Sequence, residues 1–308
     1  MNTKKRKNLL AYTMAFAMII LMAAASELRH NHEFILPEIA AMVIAMWVYR
    51  DPNWLRHPLQ ICLAPTLTSV IGFTVNHLPV AYLCKVSIDF ILIMACLRLI
   101  QSNFAPSLAT GLLPLITNAH DWKLVLIIFL ATLILMLVVI FFRMNATLEK
   151  KVQIHYKYTY FFLCLIFVWI GICWITGFGK LAVIPPIIVV VYESIQKSEY
   201  SAKLALKQGA ALTVSATIGT LLFLALDSLV IITVLDMMLM LLLQWLVKIR
   251  MPAIYAFPLL PFIFTHDVVL LLPLATVFTC LFMFTAAFAY KKIESAIQSE
   301  RVDVDISI

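Results

Sequence analysis

The chain has 308 residues, of which 63% are hydrophobic and only 13% are charged. This balance excludes a water-soluble globular domain, because such a domain needs far more polar surface to cover its core. The net charge of +7 does not require an acidic partner, because the basic residues lie in short loops where membrane proteins ordinarily carry them. We therefore predict no nucleic-acid partner.

The apolar residues form runs of about 20 separated by short polar loops, which is typical of helices that cross a lipid bilayer. In lipid a helix satisfies its own backbone hydrogen bonds, so the predicted fold is an all-α, polytopic membrane protein. We predict about twelve transmembrane segments, near residues 8–26, 34–49, 58–76, 79–101, 104–117, 122–142, 156–178, 181–194, 208–226, 228–247, 251–265 and 268–290.

The distribution of Lys and Arg predicts the orientation of these segments. With the N-terminus inside, nineteen basic residues lie on the cytoplasmic side, three lie outside and Lys85 lies within a segment. We therefore expect a multi-pass protein of the cell (inner or plasma) membrane with both termini in the cytoplasm. If 104–117 and 251–265 re-entered instead of crossing, the basic 143–157 loop would lie outside, so the charge bias favours crossing.

Self-comparison indicates a duplication. A shift of 147 residues places Ile71-Gly72 on Ile218-Gly219 and Asp89 on Asp236. Because Pro, Gly and intramembrane Asp rarely coincide by chance at an almost constant offset, we predict two tandem six-helix repeats. Each half has an even number of crossings, so the halves should share one orientation. The predicted units are a first repeat at 1–147, a cytoplasmic linker at 148–155, a second repeat at 156–292 and a cytoplasmic tail at 293–308.

The same segments are short and carry prolines in both halves. Fourteen helical residues reach about 21 Å, which is less than the roughly 30 Å apolar thickness of a bilayer. Such segments must be buried among other helices or line a wet cavity. At matching positions in two halves they indicate a transporter binding site, although the prolines could instead only kink packed helices. The candidate broken-helix residues are Pro37, Pro106, Pro185 and Pro252.

Asp89 and Asp236 are candidate substrate-binding or proton-binding residues, because an ionisable group near the membrane midplane is costly and usually faces a cavity or a partner. Lys85 lies one helical turn before Asp89, so the two side chains could neutralise each other as a structural pair. Alternatively, Lys85 attracts an anionic substrate.

Two His-Asp pairs follow the broken helices and are candidates for an outer gate: His120-Asp121 and His266-Asp267. Their alternative role is to cap the next helix, since Asp is favourable at a helix start. Gly72 and Gly219 are expected to serve close helix packing. The sequence has no nucleophile–base pair, metal-ligand spacing or phosphate loop, so we predict no enzyme, no metal and no cofactor.

Two stretches begin with a proline, continue with small residues and lead to further prolines: Pro106-Ser107-Leu108-Ala109 before Pro114, and Pro252-Ala253 before Pro261. They resemble the HPP family of integral membrane proteins, in which a Pro-led short helix precedes a long apolar span. The family's His-Pro-Pro signature is absent, since each copy here has a single Pro without a preceding His. Some members are implicated in nitrite movement, so the resemblance implies transport of a small solute. The aromatic-acid exporter and fusaric-acid-resistance group, which also has six-helix units, is a weaker resemblance.

The sequence thus predicts a secondary transporter for a small solute, an anion among the candidates, with its site between two pseudo-symmetric halves. Expected partners are the lipid bilayer and a small-molecule or ion substrate, and a homo-oligomer is compatible with the sequence. Two alternatives stay open: a passive, channel-like pore, and a non-transporting subunit of a larger membrane complex.

Overall fold

In a computed structural model, which describes residues 3–148 and 156–306, the chain is helical throughout and has no strand within these ranges. Most of the predicted linker, residues 149–155, lies outside the described residues. The α-helices are α1 Thr3–Arg29, α2 Pro37–Val43, α3 Pro52–Leu55, α4 Pro58–Asn76, α5 Tyr82–Leu99, α6 Pro106–Ile116, α7 Lys123–Phe141, α8 Tyr156–Thr176, α9 Pro185–Gln196, α10 Ala202–Ala225, α11 Leu229–Val247, α12 Ala253–Ala256 and α13 His266–Ile306.

Eight helical stretches of the described chain are long and apolar enough to cross a membrane, which confirms a multi-pass membrane protein. They are Asn8–Arg29, His32–Tyr49, Pro58–Asn76, Lys123–Phe141, Lys157–Thr176, Ala202–Ala225, Leu229–Val247 and His266–Ile297. The other predicted segments correspond to α5, whose 18 residues carry three charged side chains, and to the short helices α6, α9 and α12.

Proline shapes the short helices. It occupies the first helical position of α2, α6 and α9, where its missing N–H costs no hydrogen bond. The predicted segment 251–265 is not one α-helix. It consists of α12, only four residues long, and a 3₁₀-helix at Phe257–Phe262. Pro258 and Pro261 explain this difference, because neither residue can donate the backbone hydrogen bond that an α-helix needs.

The short helices form the centre of the molecule. Every residue of α2, of α12 and of Phe257–Phe262 is buried, as is nearly all of α6 and α9. By contrast, only 22% of the Asn8–Arg29 window is buried inside the protein, against 72% of His32–Tyr49. The long helices therefore surround the short ones, as predicted from the lengths of the segments.

Glycines allow the short helices to approach the long ones closely. A Cβ atom on Gly72 of α4 would lie 1.8 Å from the carbonyl oxygen of Gly111 in α6. In the second half, a Cβ atom on Gly219 of α10 would lie 2.4 Å from the Cα atom of Pro258. Both distances are too short for any side chain, which confirms that these two glycines serve helix packing.

Helices of the first predicted repeat pack against helices of the second. Helix α1 contacts α11, and its predicted counterpart α8 contacts α5. Similarly α2 contacts α12, and α9 contacts α6. A polar cluster joins these interfaces, since Gln244 of α11 donates to the Tyr12 hydroxyl of α1 at 3.2 Å and its Oε1 accepts from the hydroxyls of Tyr255, at 2.8 Å, and of Tyr49.

Candidate functional site

A small cavity, here called the axial cavity, lies where the four Pro-led segments meet. Its volume is about 30 Å³, which is room for about two water molecules. Its lining is almost entirely apolar and includes all four prolines predicted from the broken helices: Pro37, Pro106, Pro185 and Pro252. The structure therefore brings these residues from four separate parts of the chain to one place.

Glu38 is the first of two ionisable side chains in this lining, within the described chain. It directly follows Pro37 in the first turn of α2, and only 6% of it is exposed. Its Oε1 atom is buried and has no hydrogen-bond partner among the described residues. An unpartnered polar atom is costly inside a protein, so this oxygen has a capacity for hydrogen bonding that the described residues leave unused.

Glu193, near the C-terminal end of α9, is the second ionisable side chain of the axial cavity. Its Oε1 atom accepts a hydrogen bond of 2.6 Å from Nε1 of Trp54, which belongs to the first half of the chain. Both residues line the axial cavity on one side and a larger cavity on the other. The hydrogen-bonded pair thus forms part of the wall between the two cavities.

The larger cavity, here called the vestibule, has a volume of about 390 Å³. It is lined by the C-terminal ends of α5, α9 and α11 and by the N-terminal ends of α4, α6, α8 and α10. Its charged lining residues come from both halves and are Asp51, Arg56, Glu193, Lys197 and Arg250.

Hydrogen bonds between side chains hold the vestibule walls together. Asn103 donates to Gln196 across the two halves, and the Tyr192 hydroxyl donates to Asn103 Oδ1 at 2.7 Å. Asp51 accepts from the backbone N–H of Asn53 at 2.9 Å. Burial raises the pKa of Asp51, while the hydrogen bond from Asn53 and the nearby Lys197 and Arg56 act in the opposite direction.

The predicted aspartates lie elsewhere. Asp89 and Asp236 each occupy the eighth position of their helix, α5 and α11, and both are completely buried. Neither lines the axial cavity or the vestibule. All four carboxylate oxygens lack a hydrogen-bond partner in the described part of the chain. Their proposed role in substrate or proton binding therefore stays a prediction without a cavity to support it.

Lys85 does not contact Asp89. Its ammonium group donates instead to the backbone carbonyl of Asn76 at 2.5 Å, at the C-terminal end of α4. A cation at that end interacts favourably with the exposed carbonyls of the helix. This contact replaces the Lys85–Asp89 pair that the sequence suggested.

The candidate outer-gate residues are exposed and lie apart from both cavities. Asp121 pairs with Lys123 at 2.9 Å, and Asp267 pairs with Lys180 at 3.3 Å. His120 lies beside the ring of His77, with 5.9 Å between the ring centroids, and His266 begins α13. The structure thus brings the four residues into no common site.

Neither a metal-binding arrangement nor a known relative gives further information about the site. Within 3–148 and 156–306, no group of three or more His, Cys, Asp and Glu side chains is arranged to hold a metal ion. Comparison of the chain with models of known protein families, with curated proteins and with solved structures finds no match.

Proposed function

We propose that this chain is a secondary membrane transporter whose solute passes along the axial cavity between two pseudo-symmetric halves. The observation that carries the proposal is the convergence of four short, Pro-led segments around one cavity, whose lining includes a carboxylate with one buried oxygen that has no hydrogen-bond partner among the described residues. Discontinuous helices of this kind, at matching positions in two halves, are typical of transporter binding sites.

The backbone supports the tandem repeat. Two pairs of residues with a left-handed backbone conformation are 147 residues apart, and each residue lies at or just after the end of a helix. One pair is His30, with a φ of 49°, and Gly177, with 79°. The other pair is Gln101, with 50°, and Lys248, with 54°. The lining of the axial cavity also contains matching residues, since Leu113 and Leu260 share this offset and both line it. The spacings of the matching prolines, Pro37 with Pro185 and Pro106 with Pro252, differ from 147 by only one residue.

The vestibule supports twelve crossings and halves of one orientation. If every segment crosses, the helix ends that line the vestibule all fall on the cytoplasmic side, in both halves alike. Reporters that are active only in the cytoplasm should therefore work at Lys151 and Ile308 and fail at Asn118 and Lys180. Activity at Asn118 would contradict twelve crossings and favour re-entrant segments.

Glu38 is the residue we propose to bind the coupling proton or the solute. The axial lining offers Glu193 as the other ionisable group, and the Trp54 indole already engages Glu193. If matching prolines lie at equal depth, Glu193 lies about 10 Å nearer the vestibule than Glu38. The two carboxylates would then act in succession along the passage.

A transporter, a passive pore and a non-transporting subunit differ in flux. The purified chain in proteoliposomes should be given small anions, cations and neutral solutes at stepped concentrations, with and without a pH gradient. A transporter predicts flux of at least one class that saturates with concentration and responds to the gradient. Flux that rises linearly with concentration would favour the pore.

Absence of protein-dependent flux for every class would contradict transport and favour the subunit. Membership of the HPP family stays a proposal that is supported by the motifs of the sequence alone. Formation of a homo-oligomer also stays a proposal, with which the sequence is compatible.

A further inference from the structure

The vestibule has the size of a small-molecule site. Its volume of about 390 Å³ falls within the range of roughly 300–1,000 Å³ found for ligand pockets. The axial cavity, at about 30 Å³, holds no organic molecule in this conformation. A solute that approaches from the vestibule side therefore meets this larger space first.

The two carboxylates of the vestibule already have donors. Asp51 accepts the backbone N–H of Asn53 at 2.9 Å, and Glu193 accepts the indole N–H of Trp54 at 2.6 Å. Each donor occupies one of the roughly four lone-pair sites of its carboxylate. The vestibule lining also has more cations, Arg56, Lys197 and Arg250, than carboxylates.

The three cations of the vestibule are differently placed. Arg56, Lys197 and Arg250 have no carboxylate within 4.0 Å among the residues that the structure describes. The Nε atom of Arg56 is buried and lacks any hydrogen-bond acceptor there. The positive-inside rule explains basic residues on this face. It does not explain why three of them line one concavity or why one buried donor is left without an acceptor.

The walls of the vestibule are fixed and partly apolar. Asn103, Gln196 and Tyr192 are tied by hydrogen bonds between the halves, so the cavity is formed before a ligand arrives. Trp54 and Phe104 pack edge to face with 5.9 Å between ring centroids, and both line the cavity. A ligand with an apolar body and an anionic group fits such a lining.

We propose that the vestibule binds a small organic anion, whose negative group is held by Arg56, Lys197 and Arg250. This inference rests on the proposed function in one respect: the bound anion would be the solute that the transporter takes up from the vestibule side. Binding itself is testable without transport.

The test uses three probes with the same carbon chain: butanoate, butanamide and butylammonium. Each is titrated into the purified full chain in detergent at constant ionic strength, and calorimetry measures binding. Butanoate should bind saturably and at least about tenfold more tightly than butanamide, because a charge-assisted hydrogen bond is about twice as strong as a neutral one. Butylammonium should bind more weakly than butanamide.

Variants assign the site. Arg56→Gln should weaken butanoate binding about tenfold or more. Lys197→Gln and Arg250→Gln, at exposed positions, provide the same test should Arg56→Gln fail to fold. The matched control is Lys203→Gln, which removes an exposed charge that does not line the vestibule and should leave binding unchanged.

Several results would overturn the inference. These are equal binding of butanoate and butanamide, strongest binding of butylammonium, an equal loss in Lys203→Gln, or no butanoate binding up to about 100 mM, a hundredfold above a millimolar Kd. Nitrate that displaces butanoate at equal concentration would indicate a site for inorganic anions instead. Flux without butanoate binding would defeat this inference alone, whereas binding without flux would defeat only the proposed function.

Discussion

Two pairs of carboxylates differ in what surrounds them. Asp89 and Asp236 occupy equivalent positions of α5 and α11 and are sealed within the protein. Glu38 and Glu193 are not equivalent in the two halves, yet both line the axial cavity. At the position that matches Glu38, the second half has Pro186. The comparison teaches that the two acidic groups that share the 147-residue offset are enclosed by the fold, while the two that do not share it line the axial cavity.

Substitution of the carboxylates should separate the two pairs most clearly in the rate of solute flux. Glu38→Gln should reduce the initial rate of solute flux about tenfold or more, as is typical when a positioned proton-transfer group is removed. The amide is nearly isosteric with the carboxylate and is cheaper to bury than a charge, so folding should be retained. The measurement is flux into proteoliposomes that contain equal amounts of folded protein.

Asp236→Asn is the matched control for that experiment, since it makes the same chemical change at an enclosed site. It should keep more than half of the flux. The reverse result, in which Asp236→Asn abolishes flux and Glu38→Gln does not, would support the sequence-based assignment of the aspartates and contradict the role proposed for Glu38.

The next effect concerns the contact that holds a short helix in the centre. Gly72→Ala should destabilise the protein by about 1–3 kcal/mol or more, because the added Cβ overlaps the backbone of α6. Gly171→Ala adds the same atom where nothing lies within 4 Å and should change the unfolding midpoint little. Equal thermal unfolding midpoints in detergent would show that α4 and α6 do not cross as closely as described.

A smaller effect is expected at the wall between the cavities. Trp54→Phe removes the indole donor to Glu193 but keeps an aromatic ring beside Phe104. Loss of a hydrogen bond to a charged group costs about 1.5–3 kcal/mol, so the wall should open more often. Ala253→Cys, placed on the axial lining, should then react faster with a thiol reagent added from the vestibule side. An unchanged rate would mean that this hydrogen bond does not control access.

The smallest effect is expected on the stability of the enclosed pair. Asp89→Asn and Asp236→Asn should each leave the free energy of unfolding unchanged or raise it by up to about 2 kcal/mol, because a buried carboxyl group without a partner is replaced by an amide of nearly the same shape. Thermal unfolding in detergent measures this change. Since Lys85 contacts Asn76 rather than Asp89, the two variants should behave alike. A clear loss of stability in Asp89→Asn alone would show that Lys85 does depend on Asp89.

Segment length and proline position allowed the sequence to predict the helical membrane fold, the burial of the short segments and the four prolines of the axial cavity. These features depend on local backbone chemistry and on the thickness of a bilayer. The pairing of Trp54 with Glu193 could not be predicted, because 139 residues separate them and only lateral packing brings them together. Glu38 carried a usable signal, an acidic residue directly after the first proline of a short apolar segment.

The most direct test of the axial passage is two-sided thiol labelling. In a chain whose native cysteines are replaced, Ala41→Cys and Ala256→Cys place thiols on the axial lining, while Ala40→Cys places one at a buried site away from it. A passage that opens alternately predicts that a membrane-impermeant methanethiosulfonate labels the first two from either side of the membrane and leaves Ala40→Cys unmodified. If neither axial thiol is labelled from either side, while Lys203→Cys on the surface reacts fully, the axial cavity is not a passage and the account is contradicted.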